Sequence, residues 1–290
     1  HTYIATAGAL QFVGGKAVLD DIGPDNMLDP DDIEHRITSK TKAINPVQIN
    51  GRTCDMDRLR VIAQKHGLQI IEDAAQGLGA LYKGQAAGTF GSFGTFSFYP
   101  AKLLGCFGDG GAVVSNDDKI GEMLGFLRDH GRNKEGRVVT WGINSRLDNL
   151  QAAILNFKLK HYRADMERRR EIARQYDAAF RDMAEITVPV GPDSDPDRYD
   201  VYQNYEMAAD NRDQLKNFLR DECGIGSIIQ WAGTPVHQFN ELGFDQQDLP
   251  KTDAFFKRCL MLPMNTSLSE EQVQHVIASV KRFYSNAVRH

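Results

Sequence analysis

No stretch of this chain approaches the roughly 20 consecutive apolar residues that a membrane-spanning helix needs, and it holds no internal repeat or low-complexity tract. Its opening, His1-Thr2-Tyr3-Ile4-Ala5-Thr6, lacks the basic start and apolar run of a signal peptide. Cysteine is sparse. Cys54, Cys106, Cys223 and Cys259 lie far apart, with no C-x-x-C pair and no clustered histidines. That argues against a metal site or a disulfide framework and points to a reducing cytoplasm. An excess of positive charge is missing too: 34 Lys and Arg stand against 39 Asp and Glu, a net charge of −5. No global field would gather nucleic acid or an anionic membrane, although a local basic pocket for a phosphorylated small molecule stays open. What remains is an ordinary soluble composition, 41% hydrophobic and 25% charged over 290 residues, with room for two domains.

The first half alternates strands and helices. Val18–Ile22 reads as a short strand before the turn at Gly23-Pro24-Asp25-Asn26, and 42–49 as a second strand that ends at Asn50-Gly51. Asp55 can cap a helix carrying Leu59, Ile62 and Ala63 on one face and closing at His66-Gly67. The apolar run 68–73 then returns as a strand. Strand, helix and strand in about 30 residues make a βαβ unit, so the expectation is a parallel sheet covered by helices. Ligands collect at the carboxyl ends of such strands, and Asp73 stands at one. Further strands are expected at 95–99 and 112–115, with Asn116 or Asp117 capping a helix to about His130-Gly131. A long helical pattern runs from about Leu147 to Phe180; its charged middle interleaves both signs and reads as a solvated face. The Pro- and Asp-rich loop after Met183 places a boundary there, with a large domain at 1–183 and a small α+β domain at 184–290. In the latter, strands are expected at 202–207 and 227–231 and helices at 212–221 and 270–284.

Between Gly84 and Gly108 the chain is rich in glycine and aromatic residues, and its one charged residue is Lys102. Burying a cation is costly unless it is paired or neutralised. A neutral, low-pKa lysine suits Schiff-base chemistry; a surface lysine on a loop is the bland alternative. Asp73 needs a donor or positive partner. The pyridinium nitrogen of pyridoxal phosphate is one, and the N–H groups of the turn through Ala74-Ala75-Gln76 are another.

The runs Glu72-Asp73-Ala74-Ala75-Gln76, Gly91 through Lys102 (GSFGTFSFYPAK) and Gly108-Asp109-Gly110-Gly111-Ala112 together resemble the DegT-like (DegT/DnrJ/StrS) sugar aminotransferases, vitamin B6 enzymes of fold type I. Gly142 through Asp148, Gln151-Ala152-Ala153 and Leu262-Pro263-Met264 extend the likeness over essentially the whole chain. The implied architecture is α/β, a fold type I large domain with a mainly parallel sheet plus the smaller α+β domain. The implied cofactor is pyridoxal 5'-phosphate. On the resemblance, Lys102 would condense with the cofactor aldehyde and later move the proton between substrate carbon and cofactor carbon. Asp73 would pair with the pyridine nitrogen, Gln76 would contact the ring's phenolic edge or the phosphate, and Ser97 would bind the phosphate. Tyr3 would stack on the pyridine face. Asn144 would reach the phosphate of the neighbouring subunit's cofactor, making a homodimer with shared sites.

Two departures stand out. Relatives carry a further N-terminal stretch with a Gly-Thr or Gly-Ser phosphate-binding turn, and this chain begins after it, so a truncated chain is expected. Second, Ile229 through His237 stands where many relatives have a His-Tyr-Pro run that helps hold the sugar nucleotide. Trp231 and His237 would do this by stacking and hydrogen bonding, or serve as a core Trp and a satisfied structural His. Arg146 would brace its loop or touch an anionic substrate. Cys106 reads as a packing residue. The expected function is amino transfer from an amino acid, glutamate in this family, to the keto group of a nucleotide-linked deoxysugar. Alternatives are a relative acting on a cyclitol or other keto substrate, a sugar dehydratase (in which histidine replaces the lysine), and a non-catalytic sensor of cofactor or sugar nucleotide.

Overall fold

The computed structural model describes residues 1–244 and 247–287. The expected βαβ unit is there. Strand Ala43–Ile44 leads to helix Met56–His66 and back to strand Gln69–Asp73, and the two strands pair in parallel. Local chemistry fixes both helix ends: the Asp55 carboxylate accepts from the Arg58 N–H, and Gly67 takes the left-handed conformation at φ 64° that closes many helices. Met56, Leu59, Ile62 and Ala63 face inward and join Ile44 and Ile70 in one apolar core. Strand Phe93–Ser97 pairs in parallel with Gln69–Asp73 on its other side, and Gly111–Val114 adds an antiparallel edge. The central sheet is therefore mainly parallel.

The C-terminal part is α+β, as expected. Strand Tyr205–Ala209 lies between Cys259–Leu262 and Ile186–Thr187, both antiparallel to it. Its core draws together Phe180, Tyr205, Met207, Leu215, Leu260 and Val280 from strands and helices Tyr162–Phe180, Arg212–Asp221 and Glu270–Ala287. No helix among the described residues is long and apolar enough to cross a membrane.

Several expectations change. The strand at Val18–Ile22 is reduced to one bridge from Ile22 to Leu28, because Asp21 is engaged elsewhere, accepting from the N–H groups of Lys251 and Thr252 at the start of helix Pro250–Phe256. In 42–49 only Ala43–Ile44 forms a ladder. Pro46 has no N–H to continue it, and a single bridge from Val47 to Asp73 follows. The long helical pattern divides into Asn149–Leu159 and Tyr162–Phe180, and past the break the Tyr162 hydroxyl turns inward to donate to the Leu78 carbonyl at 2.7 Å. At 227–231 a bridge from Ile228 to Met261 replaces a strand, since Trp231 and Ala232 adopt φ of 50° and 55°. Helices Ile4–Phe12 and Pro30–Arg36 and a small sheet of Leu81–Tyr82, Gln85–Ala86 and Arg198–Tyr199 were not anticipated.

Glu72 fixes the geometry of the central sheet. Its carboxylate is fully buried, at 0% exposure, and accepts from the backbone N–H groups of Gly88 (2.7 Å), Phe90 (2.5 Å) and Gly91 (3.0 Å) and from the Gln48 side-chain amide (2.8 Å). Gly88 sits at φ 83°, and a Cβ there would meet the Phe96 ring at 2.6 Å, so the turn can wrap the carboxylate only with glycine at that point. Glu72→Gln would aim an amide N–H₂ at donors and should lower the free energy of unfolding by about 2–4 kcal/mol. Urea titration measures it; a loss below about 1 kcal/mol would contradict this account.

Candidate active site

Adjacent residues on a strand point to opposite faces, so the residue after Glu72 faces away from that buried turn. Asp73 ends its strand, with its own N–H donating to Pro46 O and its C=O accepting from Gln48 N, both at 2.9 Å. One carboxylate oxygen accepts from the Ala75 N–H at 3.1 Å, which is the turn-capping arrangement. The other accepts from the Thr6 hydroxyl at 2.6 Å, and Thr6 Oγ1 lies a further 2.6 Å from Thr2 Oγ1. Thus the first turn of helix Ile4–Phe12 is docked on the acid.

Lys102 follows the neighbouring strand, Phe93–Ser97, in a tight turn where its N–H donates to Tyr99 O at 2.8 Å and Cys106 N–H donates to Phe98 O at 2.8 Å. Gln203 grips this turn from the C-terminal part of the chain. Its amide N–H₂ donates to Ala101 O at 2.9 Å and its amide oxygen accepts from Leu103 N at 2.8 Å, so both flanks of Lys102 are held. The lysine is half-buried. Burial pushes its pKa below the ordinary value, and the negative charge of Asp73 acts in the opposite direction. Among the described residues no protein group hydrogen-bonds Lys102 Nζ.

The other expected residues have separate partners. Gln76 accepts from the Asn50 N–H at 2.7 Å through its amide oxygen, leaving its N–H₂ without a recorded protein partner; Ser97 Oγ accepts from the Tyr99 N–H at 3.3 Å, leaving its proton free to donate. Tyr3, 55% exposed, packs against Trp231 with ring centroids 4.9 Å apart. The buried Trp231 Nε1 has no partner among the described residues. Asn144 lies apart, on an exposed face, where its backbone bridges Asp129; Arg146 donates to the Asp129 carboxylate at 2.7 Å, the loop-bracing arrangement. His237 is 6% exposed and bonds Asp253 at 2.9 Å, a satisfied interior histidine. Cys106 is packed inside, with its thiol toward the carbonyls of Phe98 and Gly108.

Three contributors escaped the sequence reading: Thr6, Gln203 and Asn50. Asn50 adopts φ 55° and, besides holding Gln76, donates to the buried Glu206 at 2.7 Å. An amine unpartnered among the described residues, an acceptor already oriented by two donors, and spare amide and hydroxyl protons would suit a group bearing an aldehyde, a basic ring nitrogen and an anion. No cluster of three or more His, Cys, Asp or Glu suited to a metal ion occurs among the described residues.

Comparison with known proteins points to one family. The model of the DegT/DnrJ/EryC1/StrS aminotransferase family matches residues 1–281. A dTDP-3-amino-3,4,6-trideoxy-alpha-D-glucose transaminase from Streptomyces venezuelae is 38% identical over 288 residues, 98% of this chain and 74% of its own. A pleiotropic regulatory protein of Geobacillus stearothermophilus is 39% identical over 287 residues, 98% of this chain and 76% of its own. The crystal structure of S. venezuelae DesV superimposes with a TM-score of 0.91 at 38% identity, covering 98% of this chain and 76% of that one.

A lysine in the unfolded chain keeps its proton up to about the ordinary value of 10.5, whereas the native amine releases it earlier. Between those two pH values the unfolded chain binds more protons, so Lys102 makes stability rise with pH there and imposes its full desolvation penalty below. Lys102→Met should therefore be more stable than the parent at neutral pH, by a margin that shrinks as the pH climbs toward 10.5. Urea unfolding of the cofactor-free proteins across that range checks it; a constant margin would remove the burial argument.

Proposed function

The chain belongs to the DegT/DnrJ/EryC1/StrS aminotransferase family, and from that premise we propose that it uses pyridoxal phosphate to move an amino group from an amino acid, glutamate first among them, to the keto carbon of a nucleotide-linked deoxysugar. The carrying observation is the unpartnered, half-buried amine of Lys102 within the field of an Asp73 carboxylate that is itself tied down. When bound, the cofactor supplies an aldehyde that takes up the amino nitrogen and a ring that accepts the electron pair released at carbon.

The remaining work belongs to the protein. Lys102 holds the cofactor and, once released, is the base that takes the proton from the substrate carbon and returns it to the cofactor carbon, then runs the reverse for the keto substrate. Asp73 would pair with the ring nitrogen. Gln76 would donate to the phenolic edge or the phosphate, Ser97 would donate to the phosphate, and Tyr3 would cover one ring face. Trp231, packed on Tyr3, is the stacking platform for the sugar nucleotide; Arg146 and His237 serve their loops. The nucleotide-sugar part draws support from the S. venezuelae relative, whose name is that of a dTDP-sugar transaminase.

A second copy of this chain completes the site. Trp141 is 95% exposed, and Val138, Val139, Ile143, Leu150 and Phe157 are exposed around Asn144 in sequence, an apolar face of the kind a homodimer covers. Asn144 on that face would reach the partner's cofactor phosphate. On this reading residues 1–183 form the cofactor domain, 184–290 the small domain, and the enzyme works in the cytoplasm.

Glutamate should convert the yellow holoenzyme to its amine form, and a panel of keto-sugar nucleotides should restore the colour with the matching substrate. A protein that binds the cofactor but exchanges no amine would support instead a regulatory role, the sense carried by the name of the G. stearothermophilus relative; turnover of a keto-cyclitol alone would replace the sugar. Lys102→Ala should fold and lose turnover by at least about 10³-fold. Mixed dimers of Lys102→Ala with Asn144→Ala chains should regain activity above either parent, and no recovery would refute the shared site.

A further inference from the structure

We propose that Thr6 is a positioning residue for Asp73, and that the Thr2–Thr6 hydroxyl pair holds this carboxylate aimed at the cofactor ring nitrogen. The inference rests on the cofactor reading above. Thr6 is the only side chain among the described residues that donates to Asp73, and it does so at 2.6 Å from the first turn of helix Ile4–Phe12. A carboxylate can only accept, and a hydroxyl has one proton, so the Thr6 proton is committed to Asp73. Thr2 Oγ1, 2.6 Å from Thr6 Oγ1, then supplies its own proton to Thr6 in preference to its longer contact with Tyr3 O at 3.3 Å. The result is a directed chain, Thr2 to Thr6 to Asp73, in which each bond polarises the next.

Little else tunes this acid. Helix Ile4–Phe12, strand Phe93–Ser97 and the segment 46–48 carry no charged residue. Glu72 is turned to the opposite face, spent on its turn. The charge of Asp73 is felt by Lys102. The hydroxyl chain fixes one oxygen of the acid, so that its remaining lone pairs face a ring nitrogen in one orientation.

Two readouts test this. In the cofactor-free protein, the carboxyl-carbon NMR signal of Asp73 should move in Thr6→Val and return to its parental position in Thr6→Ser, which keeps the hydroxyl. In the holoenzyme, pyridoxal phosphate affinity at neutral pH should fall about tenfold in Thr6→Val, the loss expected for one hydrogen bond to a carboxylate, and should be parental in Thr6→Ser. Thr2→Val, which leaves the contact with Asp73 in place, should change both in the same direction by less. A parental signal and affinity in Thr6→Val, or an equal loss of affinity in Thr6→Val and Thr6→Ser, would overturn the proposal. Failure of borohydride to fix the cofactor on Lys102 of the parent would refute the cofactor reading, and the cofactor-free spectra would still decide the role of Thr6.

Discussion

Everything in the site hangs from a buried negative charge that takes no part in the chemistry. Glu72 gathers three backbone N–H groups of the 88–91 turn and an amide of Gln48, and in doing so sets Ile71–Asp73 against Phe93–Thr95 in a single register. A slip by one residue would turn every side chain over. It would leave Glu72 facing the site and Asp73 facing a turn of donors. The clamp thus decides which of two neighbouring acids is structural and which is available for catalysis.

The second constraint is that the site is assembled across great sequence separation. Asn50 links Gln76 to Glu206, and His1 reaches the same glutamate at 2.7 Å. Gln203 holds the turn of Lys102. The buried strand Tyr205–Ala209 and the residues just before it therefore anchor the turn of Lys102 as well as their own core. Asn50 and Tyr202 on this seam adopt positive φ, as does Trp231. That is where strained backbone is expected when a site must be met from two directions.

Periodicity and capping made the secondary structure legible where both agree. Asp55, Leu59, Ile62 and Gly67 announce a helix by local chemistry, and the pattern at 212–221 matches its helix end to end. Lys102 and Asp73 stand out in the sequence as candidates, one as a lone cation among glycines and aromatics, the other as an acid at a strand end. The rest of the candidate site does not, for one physical reason. Thr6 lies 67 residues from Asp73 and Gln203 about 100 from the lysine turn, so nothing in the surroundings of either residue sets it apart from any other threonine in a helix or glutamine in a loop. Likewise the pairing of His237 with Asp253 settles that ring's place only once both helical segments are folded. Strands failed where a proline or a left-handed residue interrupted an apolar run, at Pro46 and at Trp231.

The grip of Gln203 touches only main-chain atoms, the Ala101 carbonyl and the Leu103 amide. It is therefore blind to the side chain between them. The bend that presents position 102 would keep its shape whether lysine, histidine or a small residue stood there, so the scaffold can exchange its reactive group without being rebuilt. Scaffold and reactive group are thus specified separately, the first by contacts between main-chain atoms and an amide, the second by a single side chain.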